Sequence, residues 1–152
     1  MITKEHETEK TCLFCVSDYH LEMILLPYIK EKIDNSKFII FTENNLEESL
    51  EILLTKVNLE EKDKEKIKDI NWRNTDDIKF EQLQKNEDEK LIIIINGSYN
   101  YIKHINNKIN RIINKNIKII NCFHIGDSNV DISEISQEYN TTNIIFVNFL
   151  TN

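Results

Sequence analysis

The chain has 152 residues, with 19 Lys and Arg against 26 Asp and Glu, which gives a formal net charge of −7. This length suits one domain, since domains usually span about 100–200 residues. The acidic balance argues against a nucleic-acid partner, because contacts to phosphates need clustered Lys and Arg side chains. Two glycines and a single proline exclude collagen-like and linker-like chains.

The N-terminal residues and the cysteines point to a cytoplasmic protein with reduced thiols. Residues 1–10, MITKEHETEK, form a polar segment that is neither a signal peptide nor a membrane anchor. The longest apolar run, Leu91 to Ile95, is far shorter than the roughly 20 residues of a spanning helix, so we expect no membrane contact. The three cysteines are an odd number without a secretory leader, which favours free thiols.

Strand-like and helix-like segments alternate along residues 11–152, which we treat as one domain. In the first half, the pattern predicts a buried strand at 11–16, a helix at about 18–34, a strand at 37–42, an apolar-striped helix at 46–57, a solvated turn or short helix at 60–68 and a short strand at 69–72. In the second half, it predicts a helix around 78–83, a central strand at 91–95, a helix at about 102–113, a strand at 117–123, a short helix at 131–139 and a last strand at 143–150. Pro27 lies inside the first helix and predicts a kink there.

This alternation is typical of the α/β class, and we expect a single three-layer domain around a mostly parallel sheet of five to six strands. In such open sheets, ligands bind beyond the carboxyl ends of the strands, near a switch in strand order. Thr42 and Glu43 follow the second strand at this edge. The candidate ligand-binding residues at the same edge are Ser17, Tyr19, His20, Asn96, Ser98 and His124.

These candidates include no convincing catalytic set, so the sequence predicts neither an enzyme nor a cofactor. Free histidine side chains titrate near neutral pH, so a sensor that responds to pH could use His20 and His124. The alternative is that both are hydrogen-bonded structural side chains.

The turn after the first strand lacks the features of a phosphate-binding loop. A P-loop reads G-x-x-x-x-G-K-[ST], because glycines let backbone N–H groups cradle phosphates and the lysine meets the terminal phosphates. The chain instead reads Ser17-Asp18-Tyr19-His20-Leu21-Glu22, with no glycine and no lysine. Asp18 and Glu22 would also repel phosphate, so we expect neither nucleotide hydrolysis on a P-loop nor dinucleotide binding.

Two sets of side chains resemble metal sites, and we expect a metal at neither. Cys12 and Cys15 have the spacing of a redox or zinc half-site, but residues three apart in a strand point to opposite faces. A second set could gather as soft ligands at the sheet edge, although its spacing is not that of a zinc site. This set consists of Cys15, His20, Cys122 and His124.

The segment Ile125 to Asp131, IGDSNVD, resembles the fourth motif of haloacid-dehalogenase-type phosphatases, in which an acidic loop holds magnesium. That family also needs an Asp-x-Asp pair at the end of the first strand, and this chain lacks the pair. The motif nevertheless defines an alternative function, a magnesium-dependent phosphate-ester hydrolase that uses Asp18, Asp127 and Asp131.

Three segments of the chain resemble the MEDS domain, the methanogen/methylotroph, DcmR sensory domain. They are Cys12-Leu13-Phe14, Leu25-Leu26-Pro27-Tyr28-Ile29 and Lys37-Phe38-Ile39-Ile40-Phe41, and the later segments 92–98 and 117–123 fit the same order of elements. The resemblance implies a RecA-like core that has lost its P-loop. It also implies a sensory input of a histidine kinase or transcription regulator, including kinases of anaerobic spore-formers, which binds small apolar or hydrocarbon-derived ligands.

The sequence therefore leads to a non-catalytic sensory or signal-input domain, with sporulation control as one setting. Its partner would be a small-molecule ligand or a signalling protein. A third hypothesis is a homodimerisation module without a ligand, since sensory inputs of kinases often work as pairs.

Overall fold

The computed structural model describes residues 8–85, 90–112, 117–139 and 144–146. Its strands are β1 Thr8–Cys15, β2 Lys37–Thr42, β3 Leu91–Gly97, β4 Ile117–His124 and β5 Ile144–Phe146. Its helices are α1 Asp18–Lys32, α2 Glu47–Leu54, α3 Glu61–Lys68, α4 Asp76–Lys85, α5 Tyr99–Ile112 and α6 Ile132–Gln137. In this part of the chain, no helix is both long and apolar enough to cross a membrane.

The strands form a parallel sheet in the order β2-β3-β4-β1-β5. The structure confirms the α/β class and the parallel sheet with helices on both faces. The predicted count of five to six strands is not confirmed as it stands, because four strands have six to eight residues and β5 has only three. The predicted strand at 143–150 includes β5, and its remaining residues, 143 and 147–150, lie outside the described part of the chain.

The predicted strand at 69–72 is wrong, and the end of α3 explains why. The N–H of Asp69 donates to the carbonyl of Glu65, and that of Ile70 donates to the carbonyl of Ile67. Backbone donors that close the last turn of a helix are not free for a sheet ladder. Trp72 then anchors the segment, since it is only 1% exposed and its Nε1 donates to the carbonyl of Ile67 at 2.8 Å.

The other differences concern element ends. The charge-dense residues 60–68 contain helix α3, the second of the two predicted alternatives, because Asp63 and Ile67 give it a buried side. Strand β1 begins at Thr8, so the last residues of the polar segment 1–10 already belong to the sheet. Pro27 lies inside α1 on its exposed side, and the kink remains a prediction.

Two apolar clusters cover the two faces of the sheet. Side chains alternate along a strand, so Leu13 and Cys15 of β1 join the cluster beneath α1, α2 and α3, whereas Cys12 joins the cluster beneath α4, α5 and α6. This placement confirms that Cys12 and Cys15 point to opposite faces. Every residue of β3, LIIIING, is buried, as expected for a central parallel strand covered on both sides.

The strand order creates one switch point beside β1. The connection from β1 to β2 runs towards one edge of the sheet, and the later connections run towards the other edge. Because such crossovers are right-handed, α1 packs on one face and the helices that follow β3 and β4 pack on the opposite face. The carboxyl ends of β1 and β4 therefore open a crevice of the kind that holds ligands in α/β proteins.

Candidate functional site

A histidine and an aspartate meet at the switch point. His124 is the last residue of β4 and Asp18 is the first residue of α1, just after β1. Cys15 and His124 are paired in the parallel register of the two strands, which brings the turn after β1 against the end of β4. The His124 Nε2 atom lies 3.2 Å from Asp18 Oδ1.

Asn96, at the end of β3, ties this pair to its neighbours. The Asn96 side chain is fully buried, and its Nδ2 donates to Asp18 Oδ1 and to Thr42 Oγ1, both at 3.2 Å. Its Oδ1 lies 2.7 Å from His124 Nε2, so the ring nitrogen donates to it. From the end of β2, Thr42 Oγ1 donates to the carbonyl of Asn44 at 2.7 Å, and Asn44 Nδ2 donates to Asp18 Oδ2 at 3.3 Å.

We call these five residues the switch-point cluster: Asp18, Thr42, Asn44, Asn96 and His124. Mutual contacts stabilise the charged forms of its two titratable members. The hydrogen bond from His124 lowers the pKa of Asp18 below 3.8 despite partial burial, and Asn96 and Asn44 add to this effect. The hydrogen bond to Asp18, followed by the contact with Cys15, raises the pKa of His124 from 6.5 to about 10. The pair is therefore ionised at neutral pH.

A buried glutamate lies one helical turn beyond Asp18. Glu22 on α1 is 0% exposed, and its Oε2 accepts a hydrogen bond of 2.8 Å from Ser49 Oγ on α2. Its Oε1 is buried and has no hydrogen-bond partner among the residues that the structure describes. Burial raises the pKa of Glu22 to about 7, the bond from Ser49 opposes this shift, and the charge of Asp18 adds to it. The protein therefore favours the neutral form of the Glu22 carboxyl far more than water does.

A glycine at the end of β3 lets the strand pass close to its neighbours. A Cβ atom on Gly97 would lie 2.6 Å from Tyr101 Cδ2 and 2.9 Å from both Cβ and Oε1 of Glu43. The same Glu43 Oε1 accepts a hydrogen bond of 2.8 Å from the N–H of Ser98. The close packing of Gly97 against Tyr101 and Glu43 thus holds the turn between β3 and α5 in place, next to Asn96.

We expect Gly97→Ala to lower the free energy of unfolding by about 1–3 kcal/mol, because the added methyl group overpacks the turn. Gly126→Ala is the matched control, since no described residue lies within 4 Å of a Cβ atom there. Urea unfolding measures both values, and the amide shift of Ser98 reports on its bond to Glu43. Equal stability of the two variants would contradict the expectation.

The structure divides the predicted ligand-binding residues into separate groups. Asn96 and His124 belong to the switch-point cluster. Ser17 is the N-cap of α1, because its Oγ accepts from the N–H of His20 at 3.3 Å, and the His20 ring lies 3.5 Å from the same oxygen. Ser98 Oγ accepts from the N–H of Tyr101 at 3.2 Å, which caps α5. Tyr19 is 48% exposed.

Sequence reasoning missed the partners that complete the cluster. Asp18 follows the first strand at the predicted ligand edge, but no sequence pattern pairs it with His124, and none marks Asn44 as a partner. The available signal is position, since Thr42 ends β2 and Asn44 follows it at the same sheet edge. No local pattern marks Glu22 as buried, because α1 has apolar residues on several sides of its surface.

The three carboxylates of the hydrolase alternative accept hydrogen bonds from different partners, and Asp18 is held by the switch-point cluster. Asp127 accepts from the N–H groups of Tyr99 at 2.9 Å and Asn129 at 3.0 Å, and Asp131 caps α6 by accepting from the N–H of Glu134. Within residues 8–139, as far as they are described, no three His, Cys, Asp or Glu side chains form a group that could hold a metal ion. The magnesium arrangement of that alternative is therefore not found, and neither is the soft-ligand set.

Four exposed apolar side chains lie close in the sequence to Cys15, Asp18 and His124, and we call them the apolar rim: Val16, Tyr19, Met23 and Ile125. Val16 is 46% exposed and Ile125 is 43% exposed, and they follow the paired residues Cys15 and His124 in the register of β1 and β4. The N–H of Ile125 donates to the carbonyl of Cys15, so the two strand ends stay together. Tyr19 and Met23 add exposed apolar surface one turn apart on α1. The site thus combines an ion pair with an apolar rim.

Comparisons with known proteins do not extend this description. A scan against protein-family models, a search of curated proteins and a search of solved structures each found no match for the chain. Fold and site define the class: an α/β protein whose parallel sheet carries an ion pair with an apolar rim at its switch point.

Proposed function

We propose that this chain is a non-catalytic, cytoplasmic signal-input domain of a histidine kinase or a related signalling protein. One observation carries the proposal. The crevice in which α/β proteins hold their ligands contains the ion pair of Asp18 and His124, rimmed by exposed apolar side chains. A carboxylate directed there by the first turn of α1 opposes the binding of phosphate at that helix N-terminus.

A parallel sheet with helices on both faces supports the RecA-like core that the MEDS resemblance implies. The MEDS resemblance in residues 11–45 adds the expectation of a small apolar ligand, and Val16, Tyr19 and Ile125 of the apolar rim offer such a ligand a surface.

Signalling would require two states of the switch-point cluster. A ligand shifts the equilibrium between two states only by its difference in affinity for them. Asn96 contacts Asp18, Thr42 and His124, so a bound molecule that displaced Asn96 would loosen the ends of β1 to β4 together. A signalling partner or a second copy of the chain seated on the apolar rim would act through the same residues.

A thermal-shift screen of small apolar metabolites, followed by calorimetry, tests the proposal. We expect at least one compound to stabilise the chain, and its affinity to fall about tenfold or more in Asn96→Ala, because a site hydrogen bond is lost. Asn129→Ala is the control, since that exposed side chain lies outside the cluster.

The same assay includes magnesium with ATP, and a phosphate-ester turnover assay accompanies it. We expect neither stabilisation by magnesium-ATP nor turnover. Stabilisation that Asp18→Asn abolishes, or turnover that Asp127→Ala abolishes, would overturn the proposal in favour of nucleotide binding or of the hydrolase.

A further inference from the structure

The apolar rim is exposed surface at the carboxyl ends of β1 and β4. The N–H of Ile125 donates to the carbonyl of Cys15, which places Ile125 beside Val16. Tyr19 and Met23 follow on α1, four residues apart and therefore on one side of the helix. Each of the four rim side chains is at least 43% exposed. Exposed apolar side chains that stand together indicate a surface that a partner covers.

The strand ends at this edge of the sheet carry acidic residues and no basic ones. Four stretches contain the carboxyl ends of β1 to β4 with the turns and helix starts that follow them: 11–29, 38–55, 91–102 and 119–139. These stretches hold ten of the chain's 26 Asp and Glu residues and none of its 19 Lys and Arg residues. The negative charge of the chain is therefore concentrated on the side of the sheet that carries the apolar rim.

Four carboxylates of these stretches are exposed or half-buried and have no Lys or Arg partner among the described residues: Glu43, Glu48, Asp127 and Asp131. Together with the apolar rim, we call them the carboxyl-edge face. The positive charges near it are already matched or lie to one side. His124 is paired with Asp18, Arg73 is paired with Glu47 at 3.0 Å, and Lys103 lies one turn into α5.

Helix N-termini explain only part of this charge pattern. Acidic side chains are favoured in the first turn of a helix, which accounts for Glu48 on α2 and for Asp131 before α6. Basic side chains are favoured in the last turn for the same reason, and α1, α3, α4 and α5 have them. Helices α2 and α6 have none. The absence of Lys and Arg thus extends to positions at which they would stabilise the fold.

The width of the carboxyl-edge face favours a protein segment over a small molecule. Glu43 follows β2 and Val16 follows β1, and these strands lie three strand spacings apart in the sheet, or about 14 Å. An extended segment of about five residues spans this distance. Small-molecule sites are concave, and the grooves of about 350 and 330 Å³ lie elsewhere, one beside β2 and α3 and the other at the amino ends of β3 and β4.

We propose that the carboxyl-edge face binds a segment of a signalling partner that carries Lys or Arg side chains on both sides of a large apolar residue. The apolar residue would pack on Val16 and Ile125, and the basic side chains would meet the carboxylates of the face. A second copy of this chain fits less well, because two copies that met through this face would bring like charges together. The inference rests on the signal-input role proposed above and specifies the chemistry of the partner.

Calorimetry and amide NMR with a synthetic decapeptide, in which lysines flank a central phenylalanine, test the inference. We expect binding that weakens as salt is added, because salt screens exposed charges. The amide resonances of Val16, Ile125 and Asp127 should shift. A decapeptide with serine in place of the phenylalanine should bind about tenfold more weakly, since it lacks the apolar contact, and a glutamate decapeptide should not bind.

Two pairs of variants locate the binding surface. Ile125→Ser should weaken binding of the phenylalanine peptide by about fivefold or more, because it removes an apolar contact. Ile52→Ser changes an isoleucine that is 51% exposed on α2, outside the face, and should leave binding unaltered. Glu48→Lys reverses a charge of the face and should weaken binding by about fivefold as well. Glu31→Lys makes the same charge change in the last turn of α1, at the end of the helix away from the face, and is its control.

Three outcomes would overturn the inference: no binding of the phenylalanine peptide, equal affinity for the phenylalanine and serine peptides, or unaltered binding to both Ile125→Ser and Glu48→Lys. The signal-input role would survive any of them if a metabolite stabilises the chain and loses affinity in Asn96→Ala. Stabilisation by magnesium-ATP that Asp18→Asn abolishes would instead remove the signal-input role and this inference with it, so the two failures are distinguishable.

Discussion

Asp18→Asn is expected to lower the free energy of unfolding by about 2 kcal/mol at pH 7, because it leaves the charge of His124 without its carboxylate. The pair is partly solvated, with side chains 21% and 28% exposed, so solvent screening keeps the loss below that of a fully buried pair. Asp18 and His124 should each stabilise the fold through the same contact.

The pH range in which the ion pair stabilises the fold follows from the directions in which the pKa values of Asp18 and His124 are shifted. The pKa of His124 is raised, so its contribution is complete below the ordinary value of 6.5 and is lost as the pH rises through about 10. The pKa of Asp18 is lowered, so its contribution is complete above the ordinary value of 3.8 and is lost as the pH falls through the lower folded value. The destabilisation caused by Asp18→Asn should therefore be greatest between about pH 4 and 7 and shrink towards both extremes.

A double-mutant cycle with His124→Gln isolates the coupling, for which we expect about 1–2 kcal/mol in urea unfolding at pH 6. Asp77→Asn, an exposed acid in the first turn of α4, serves as control and should show no coupling to His124→Gln. A coupling near zero, or an NMR titration that gives His124 a pKa near 6.5, would contradict the ion pair.

Glu22→Gln is expected to raise the free energy of unfolding by about 3 kcal/mol at pH 8, because a pKa raised from 4.5 to about 7 disfavours the ionised carboxyl by about 1.4 kcal/mol for each unit. The pKa of Glu22 is raised from 4.5 to about 7, so the folded state favours the protonated form. Stability is unaffected by this group below the unfolded value, falls as the pH rises towards the folded value, and stays low above it. Glutamine keeps an acceptor for Ser49 and carries no charge.

The stabilisation by Glu22→Gln should be far smaller at pH 5 than at pH 8, which separates the buried charge from any change in packing. Glu51→Gln, on the exposed side of α2, is the control and should show no comparable pH dependence. If wild type and Glu22→Gln lose the same stability between the two pH values, Glu22 is not the group that is stabilised in its neutral form.

Strands and helices with strong apolar patterns were the most predictable parts of the fold. The run from Leu91 to Ile95 specified a central strand, because a strand buried on both faces needs continuous apolar side chains. The segment 69–72 was predicted wrongly for a related reason. Its alternation of Ile70 and Trp72 resembles a strand, but its backbone donors were already used by α3, a competition that no side-chain pattern reveals.

The sequence predicts the sheet edge at which the candidate site lies, but it identifies only some of the residues that form the site. Asn96 and His124 follow their strands and were found from position alone. Ser17 and Ser98, at equivalent positions, serve as helix caps, since their hydroxyl oxygens accept from N–H groups three residues on. The same residue types fit both roles, and only the surrounding contacts distinguish them.

By itself, the sequence determined the α/β class, the free cysteines on opposite faces of β1 and the absence of a glycine-rich phosphate loop, because these depend on neighbouring residues. Tertiary structure alone decided the strand order, and with it the meeting of Asp18 with His124 and the place of β2 at the end of the described sheet. Strand order depends on which distant segments pack together and on the hand of their connections, and apolar strands of similar composition are compatible with several orders.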